Sequence, residues 1–290
     1  MSTRPTLLVT GASGQLGHLT VEFLISSGKG RIIAGSRDPE KLADLVAKGA
    51  EARAVDFNRP ETLATAFEGV DRLLIVSTDS IDQPGRRLIQ HTAAIKAAKA
   101  AGVKHILYTS AVSAAPDSAS IALLDHYETE QAIVASGLSH TILRNTLYVD
   151  SLLMSLPQIL ASGQWFHAAA DGKIALVTRE DCARAAAAAL ESDFTGDQIV
   201  EISGPELLDR NEMAAIISEL SSKPVAAIGI DEASLTDALK KAGIPDIFAR
   251  LLATFDTAQA NGELEVLTTA VRDLTGREPT SVRSFLADHI

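Results

Sequence analysis

The residues with the clearest chemical potential lie near the amino terminus. Thr10-Gly11-Ala12-Ser13-Gly14-Gln15-Leu16-Gly17 follows a short apolar run and opens a helical pattern. In such a loop Gly11 permits the tight turn, Gly14 lets the backbone approach a pyrophosphate, and Gly17 lets the helix lie close to a sheet. Ser13, Gln15 and Leu16 complete the loop as cofactor-binding positions. Phosphates then sit on the helix N-terminus, where free N–H groups and the dipole favour negative charge. A glycine triplet alone is weak; a strand before it and a helix after it make it specific for a dinucleotide.

An NAD site carries an acid about twenty residues beyond the last glycine. Here that position is Arg37, in Ser36-Arg37-Asp38. Arginine suits a 2′-phosphate through bidentate, charge-assisted hydrogen bonds, and Lys41 can assist. NADPH is therefore favoured. NADH stays open, because Arg37 could be solvated with Asp38 turned onto the ribose. Asp56 and Phe57 fall where an adenine would lie; the competing reading of Asp56 is a turn residue ahead of Pro60. Ser77 and Thr78 end one apolar run and Ser110 ends another. Their small hydroxyls can reach ribose or nicotinamide groups, or can serve turn chemistry alone.

Catalytic groups are less distinct. Tyr127 begins a Tyr-x-x-x-Lys spacing, but the fourth position is Gln131, which carries no charge to activate a tyrosine. His126 and Glu130 form an i, i+4 pair on one helix face, so His126 can meet the nicotinamide ribose, pass a proton, or be structural. No metal-ligand cluster stands out. The single Cys182 excludes an intramolecular disulfide and a cysteine-built zinc site.

These residues need a scaffold. Apolar runs at 6–10, 31–35, 52–57, 72–76, 105–109 and 141–143 alternate with helical patterns at 16–27, 39–48, 60–67, 82–101 and 123–136. Strands buried on both faces and joined by helices make an α/β, doubly wound parallel sheet, with ligands at the carboxyl ends of the strands. Further on, 150–161 looks helical despite Pro157, an alanine-rich helix covers 183–190, and strands are expected at 174–177, 198–202 and 225–230. The expected organisation is a cofactor domain over 1–150, with 174–203 returning to its sheet. A smaller, mostly helical substrate domain takes 151–173 and 204–290. Length is ample for a buried core: the chain has 290 residues. Its net charge of −11 repels phosphate backbones, so nucleic acid is not an expected partner. No segment reads as a signal peptide or membrane span, which makes a cytoplasmic setting the expectation. A homodimer is left open. Aromatic residues make up 4% of the chain, and the one Trp and three Tyr all fall between positions 108 and 165, a candidate stacking wall for a flat ligand.

Together the motifs resemble the NmrA-like group of atypical short-chain dehydrogenases, across nearly the whole chain. The residues that carry this are 9–17, Ser36-Arg37-Asp38, 105–110, 126–130, Leu143-Arg144-Asn145 with Tyr148, 178–181, 202–205 and 274–280. Within the group it is most similar to the type 2 quinone oxidoreductase and triphenylmethane-reductase branch. The resemblance implies a Rossmann domain holding NADPH, with hydride passed directly to a quinone or similar flat acceptor. It assigns cofactor contacts to the glycine loop, Arg37, Ser77 and the end of the fifth strand, and turns Asn145 and Tyr148 toward nicotinamide and substrate. Members commonly lack the tyrosine–lysine pair, which Gln131 fits. Thr146 replaces a frequent glycine and Leu147 a frequent aromatic. Some relatives are redox-sensing regulators that bind NADP(H) without turnover, so that alternative stands beside the enzyme.

Overall fold

The computed structural model describes residues 4–81, 83 and 85–290. Nine strands are present among them: β1 Thr6–Val9, β2 Arg31–Ser36, β3 Glu51–Ala54, β4 Arg72–Ile75, β5 His105–Ala111, β6 Ser139–Asn145, β7 Gln164–His167, β8 Gln198–Ile202 and β9 Ala226–Gly229. Seven build one sheet in the order β3-β2-β1-β4-β5-β6-β8. Every neighbouring pair in it is parallel. Strand order reverses where β4 lies beside β1, which places the ligand crevice at their carboxyl ends.

The helices are α1 Gln15–Ser27, α2 Ala43–Ala47, α3 Pro60–Ala66, α4 Arg86–Ala100, α5 Ile121–Ser136, α6 Leu156–Ser162, α7 Arg179–Glu191, α8 Arg210–Ser221, α9 Glu232–Lys241, α10 Asp246–Ala260, α11 Ala270–Thr275 and α12 Val282–Ala287. Strand side chains alternate between two cores, as the pleat requires. Leu7, Val9 and Leu74 join α1, α2 and α7 on one face. Leu8, Leu73 and Ile75 join α3, α4 and α5 on the other. A third core gathers Trp165, Met213, Ile217 and Leu264 with Val112, Leu123 and Val149 from the sheet region. Val271 of α11 returns to the first core, so the carboxyl-terminal segment is shared between the two regions.

Several expectations are corrected. Residues 174–177 form no strand; they make isolated bridges, Tyr148 with Val177 and Ile174 with Leu208. The strand expected over 52–57 ends at Ala54, because Asp56 turns the chain by accepting from Asn58 N at 2.9 Å. The 39–48 helix divides into a 3-10 turn, Pro39–Leu42, and α2. Pro157 is accommodated in the first turn of α6, where its missing N–H costs nothing. The helix expected from Asp82 has its start outside the described residues; α4 begins after Gly85. The short strand β7, paired with β9, was not expected. Among the described residues no helix is long and apolar enough to cross a membrane.

Candidate functional site

The loop between β1 and α1 has the geometry of a phosphate cradle. Gly11 has φ +63°, a left-handed conformation that favours glycine. Its carbonyl accepts from Gly14 N at 2.9 Å. A Cβ on Gly17 would lie 2.5 Å from Gly11 O and 3.1 Å from the Ala12 Cα, so no side chain fits there. The N-cap, Gly14, offers no side-chain hydrogen bond, and the first turn of α1 contains no acid. That leaves the N–H groups of Ser13, Gln15 and Leu16, with the positive dipole end of α1, for an anion.

The candidate ribose end lies at the close of β2. Ser36 donates to Ser13 Oγ at 3.0 Å and accepts from Asp38 N at 3.1 Å, tying the glycine loop to the Arg37 turn. Arg37 is exposed and, among the described residues, makes no ion pair. Asp38 lies 3.7 Å from Lys41, so the acid that might have competed for the ribose faces a lysine. The free guanidinium beside an uncapped helix fits a 2′-phosphorylated dinucleotide.

Asp56 also holds the Asn58 side chain, at 3.1 Å, and the Phe57 ring is buried with an edge contact to His91. Ser77 and Thr78 continue from β4. Thr109 Oγ1 accepts from Ser77 N at 2.8 Å. Thr78 is fully engaged: its N–H donates to His91 Nε2 at 3.1 Å and its hydroxyl to Gln90 at 2.8 Å. At the end of β5, Ser110 donates to Glu130 at 2.5 Å, and Arg144 on β6 grips both oxygens of that carboxylate, at 2.9 and 2.6 Å. The buried Glu130 raises the Arg144 pKa.

Asn145 and Tyr148 come together where β6 ends. Asn145 Nδ2 donates to the Tyr148 hydroxyl at 3.1 Å, and the Arg179 guanidinium sits 5.0 Å over the Tyr148 ring. Asp150 in turn accepts from Arg179 Nη1 at 3.0 Å. Asp150 and Arg179 line the same groove as Ser13, Gly14 and Gln15, so Tyr148 stands close to the glycine loop. Burial pushes the Tyr148 phenol upward, and it stays protonated at neutral pH.

His126 is placed elsewhere. It is buried, with Nδ1 2.8 Å from the Tyr108 hydroxyl, and it does not pair with Glu130. Burial, then Arg87 and His91, hold its pKa well below the ordinary value. Tyr108 is wholly buried in the second core, and Trp165 is buried in the third. The stacking wall expected from the aromatic clustering therefore does not form at these two rings. No group of His, Cys, Asp or Glu among the described residues could hold a metal.

His91 gives a testable pH dependence. Burial lowers its pKa to about 3, and its Nε2 must stay unprotonated to accept from Thr78 N. Between that value and an unfolded pKa of about 6.5 the unfolded chain binds more protons, so stability falls as pH falls through this window. Between pH 6 and pH 5 we expect His91 to account for a loss of about 1 kcal/mol. Urea unfolding of wild type and His91→Gln at the two pH values checks it; identical pH slopes would refute it.

The NAD(P)H-binding family pattern matches residues 11–193. The chain belongs to that family. It is 37% identical over 286 residues to quinone oxidoreductase 2 of Escherichia coli (strain K12), covering 98% of each protein. It is similar to the crystal structure of the NADPH-dependent quinone oxidoreductase from Escherichia coli complexed with NADPH, with TM-score 0.92 and 36% identity over 98% of this chain and 99% of that one. The Citrobacter sp. triphenylmethane reductase complexed with NADP(H) matches with TM-score 0.91 and 33% identity, over 98% of this chain and all 100% of that one. The resemblance to the NmrA-like group, in its type 2 quinone oxidoreductase and triphenylmethane-reductase branch, and the doubly wound parallel sheet read from the sequence both hold.

Sequence reasoning missed the Ser110–Glu130–Arg144 cluster, the Tyr108–His126 bond and the Asp150–Arg179 brace. Each joins residues far apart in the chain. Only Glu130 gave a signal, as the acid four residues after His126 on one helix face.

Proposed function

We propose that this protein is an NADPH-dependent oxidoreductase that delivers hydride to a quinone or a similarly flat, electron-poor acceptor. The observation that carries the cofactor half is the partner-free Arg37 beside an uncapped, acid-free α1 N-terminus. The acceptor half rests on full-length likeness to reductases of quinones and triphenylmethane dyes. When bound, NADPH supplies the hydride; the chain binds and orients. The loop Gly11 to Gly17 would hold the pyrophosphate, Arg37 with Lys41 the 2′-phosphate, Asp56 and Phe57 the adenine side, and Ser77 the ribose and nicotinamide side, while Thr78 and Ser110, whose hydroxyls are committed to Gln90 and Glu130, would shape the crevice wall.

Rate gain would come mainly from proximity and orientation. A quinone oxygen gaining electron density needs a proton, and the protonated Tyr148 hydroxyl, oriented by Asn145, is the group we assign to deliver it. His126 has the supporting role of fixing Tyr108. Residues 151–173 and 204–290 would form the acceptor side of the cleft. A cytoplasmic setting and a homodimer complete the proposal; the lone, buried Cys182 suits a reducing compartment. Relatives named as reductases leave the non-turnover regulator unfavoured. The test is purified protein mixed with NADPH and a panel of benzoquinones and dyes, following NADPH absorbance. Enzyme-dependent oxidation is expected; its absence across the panel, with NADPH still bound tightly, would support the regulator instead.

A further inference from the structure

The loop that follows β5 is held by one residue of the carboxyl-terminal region. Glu263, in the turn after α10, collects hydrogen bonds from three loop residues. Ser113 Oγ donates to its main-chain carbonyl. Ser118 Oγ donates to its carboxylate at 2.7 Å, and Ala119 N does so at 3.3 Å. Asn261 Nδ2 steadies the same carboxylate at 3.2 Å. Ser113 has φ +56°, a left-handed conformation that a non-glycine residue adopts only when its surroundings impose it.

The inner end of this loop is anchored in the candidate site. Val112 N donates to Asn145 O at 3.0 Å, and Ala111 pairs with Asn145 in the sheet register. Arg144, fixed by Glu130, donates to Ala114 O at 3.4 Å. The loop therefore begins beside Ser110 and Asn145 and ends at Glu263. Just past it, Ile121 opens α5 and is 60% exposed, an apolar group at the outer end of the loop.

We propose that Glu263 is a specificity-determining positioning residue: by clamping residues 113–119 it sets the width of the acceptor opening. This rests on the reductase reading given above. Glu263 touches neither cofactor nor acceptor; it acts through the loop. With the clamp in place the opening favours small, flat acceptors. Without its carboxylate the loop keeps only the Ser113 bond to the main chain of residue 263, and residues 118–119 come free, which admits bulkier acceptors and holds small ones less well.

Steady-state kinetics of Glu263→Ala and Glu263→Gln, with 1,4-benzoquinone and a triphenylmethane dye, test the assignment. For Glu263→Ala we expect KM for benzoquinone to rise about tenfold, and the dye-to-benzoquinone ratio of kcat/KM to rise by a similar factor, since binding lost equally in the ground and transition states raises KM and leaves kcat unchanged. The kcat for benzoquinone and the Kd for NADPH should stay near wild type. Glu263→Gln can still accept from Ser118 and Ala119 and should recover most of the loss. Hydrogen exchange gives a readout independent of turnover: the Ala119 amide should lose protection in Glu263→Ala and keep it in Glu263→Gln. An unchanged acceptor ratio, equal behaviour of the two variants, a parallel loss of NADPH affinity or unchanged Ala119 protection would each overturn the proposal. A wild type inactive with every acceptor counts against the reductase reading, whereas an unchanged ratio between active proteins counts against Glu263 alone.

Discussion

Replacing Glu130 by alanine should destabilise the protein by about 3–5 kcal/mol, the cost of leaving one partner of a buried ion pair alone. The carboxylate is 2% exposed and the Arg144 side chain 19% exposed. Arg144 makes two of its hydrogen bonds to Glu130, and Ser110 makes its own there. Removing the acid strands a cation between α5 and β6 and frees the hydroxyl at the end of β5. The effect should extend to function, because Ser110 is aligned through this carboxylate and Asn145 follows Arg144 on β6. Glu130→Gln, which keeps shape and one acceptor oxygen, should cost less. Chemical denaturation reads the difference. A loss below about 1 kcal/mol for Glu130→Ala would show that water replaces the carboxylate, as at exposed ion pairs.

Replacing Arg37 by alanine should weaken NADPH binding by about 1.5–3 kcal/mol, roughly ten- to hundredfold, while leaving NADH nearly unchanged. The expectation follows from a free cation. Arg37 has no acidic neighbour among the described residues, and Asp38 faces Lys41. The guanidinium is thus available to a 2′-phosphate without first breaking a pair. Lys41, itself exposed and already beside Asp38, should contribute less; Lys41→Ala should cost only a few-fold. Titration of both variants with NADPH and NADH by cofactor fluorescence checks the ordering. Equal losses for the two cofactors would remove Arg37 from the 2′-phosphate role.

The glycine loop and the turn after β2, the candidate cofactor end of the site, were legible because their signals are local. The glycine loop needs its residues at fixed spacing, and Gly17 is demanded by the closeness of α1 to Gly11. Arg37 stands at a distance along the chain that the β-α-β unit imposes. Strands with apolar residues on both faces announced the parallel sheet. The catalytic edge was less legible because its contacts are long-range. His126 looked like a partner for Glu130 from helical spacing, yet Tyr108, on β5, takes its imidazole. Arg144, fourteen positions beyond Glu130, takes the acid instead. The aromatic clustering was real in sequence, but Tyr108 is consumed by the core because its strand position faces α4 and α5. Residues 174–177 have strand composition but no continuous neighbour to pair with, so they remain bridges. Glu263 gives no sequence signal at all: its role depends on a loop about 150 residues earlier folding back to it.

NADPH, held by the glycine loop and Arg37, should deliver hydride directly to a flat acceptor. The most direct measurement is a single-turnover reaction of protein-bound NADPH with a benzoquinone, run with ordinary NADPH and with NADPH deuterated at the transferred C4 position. Oxidation should be much faster than in free solution, slowed by deuterium, and slowed in Arg37→Ala in proportion to lost cofactor occupancy. Oxidation of bound NADPH no faster than in solution would contradict direct delivery.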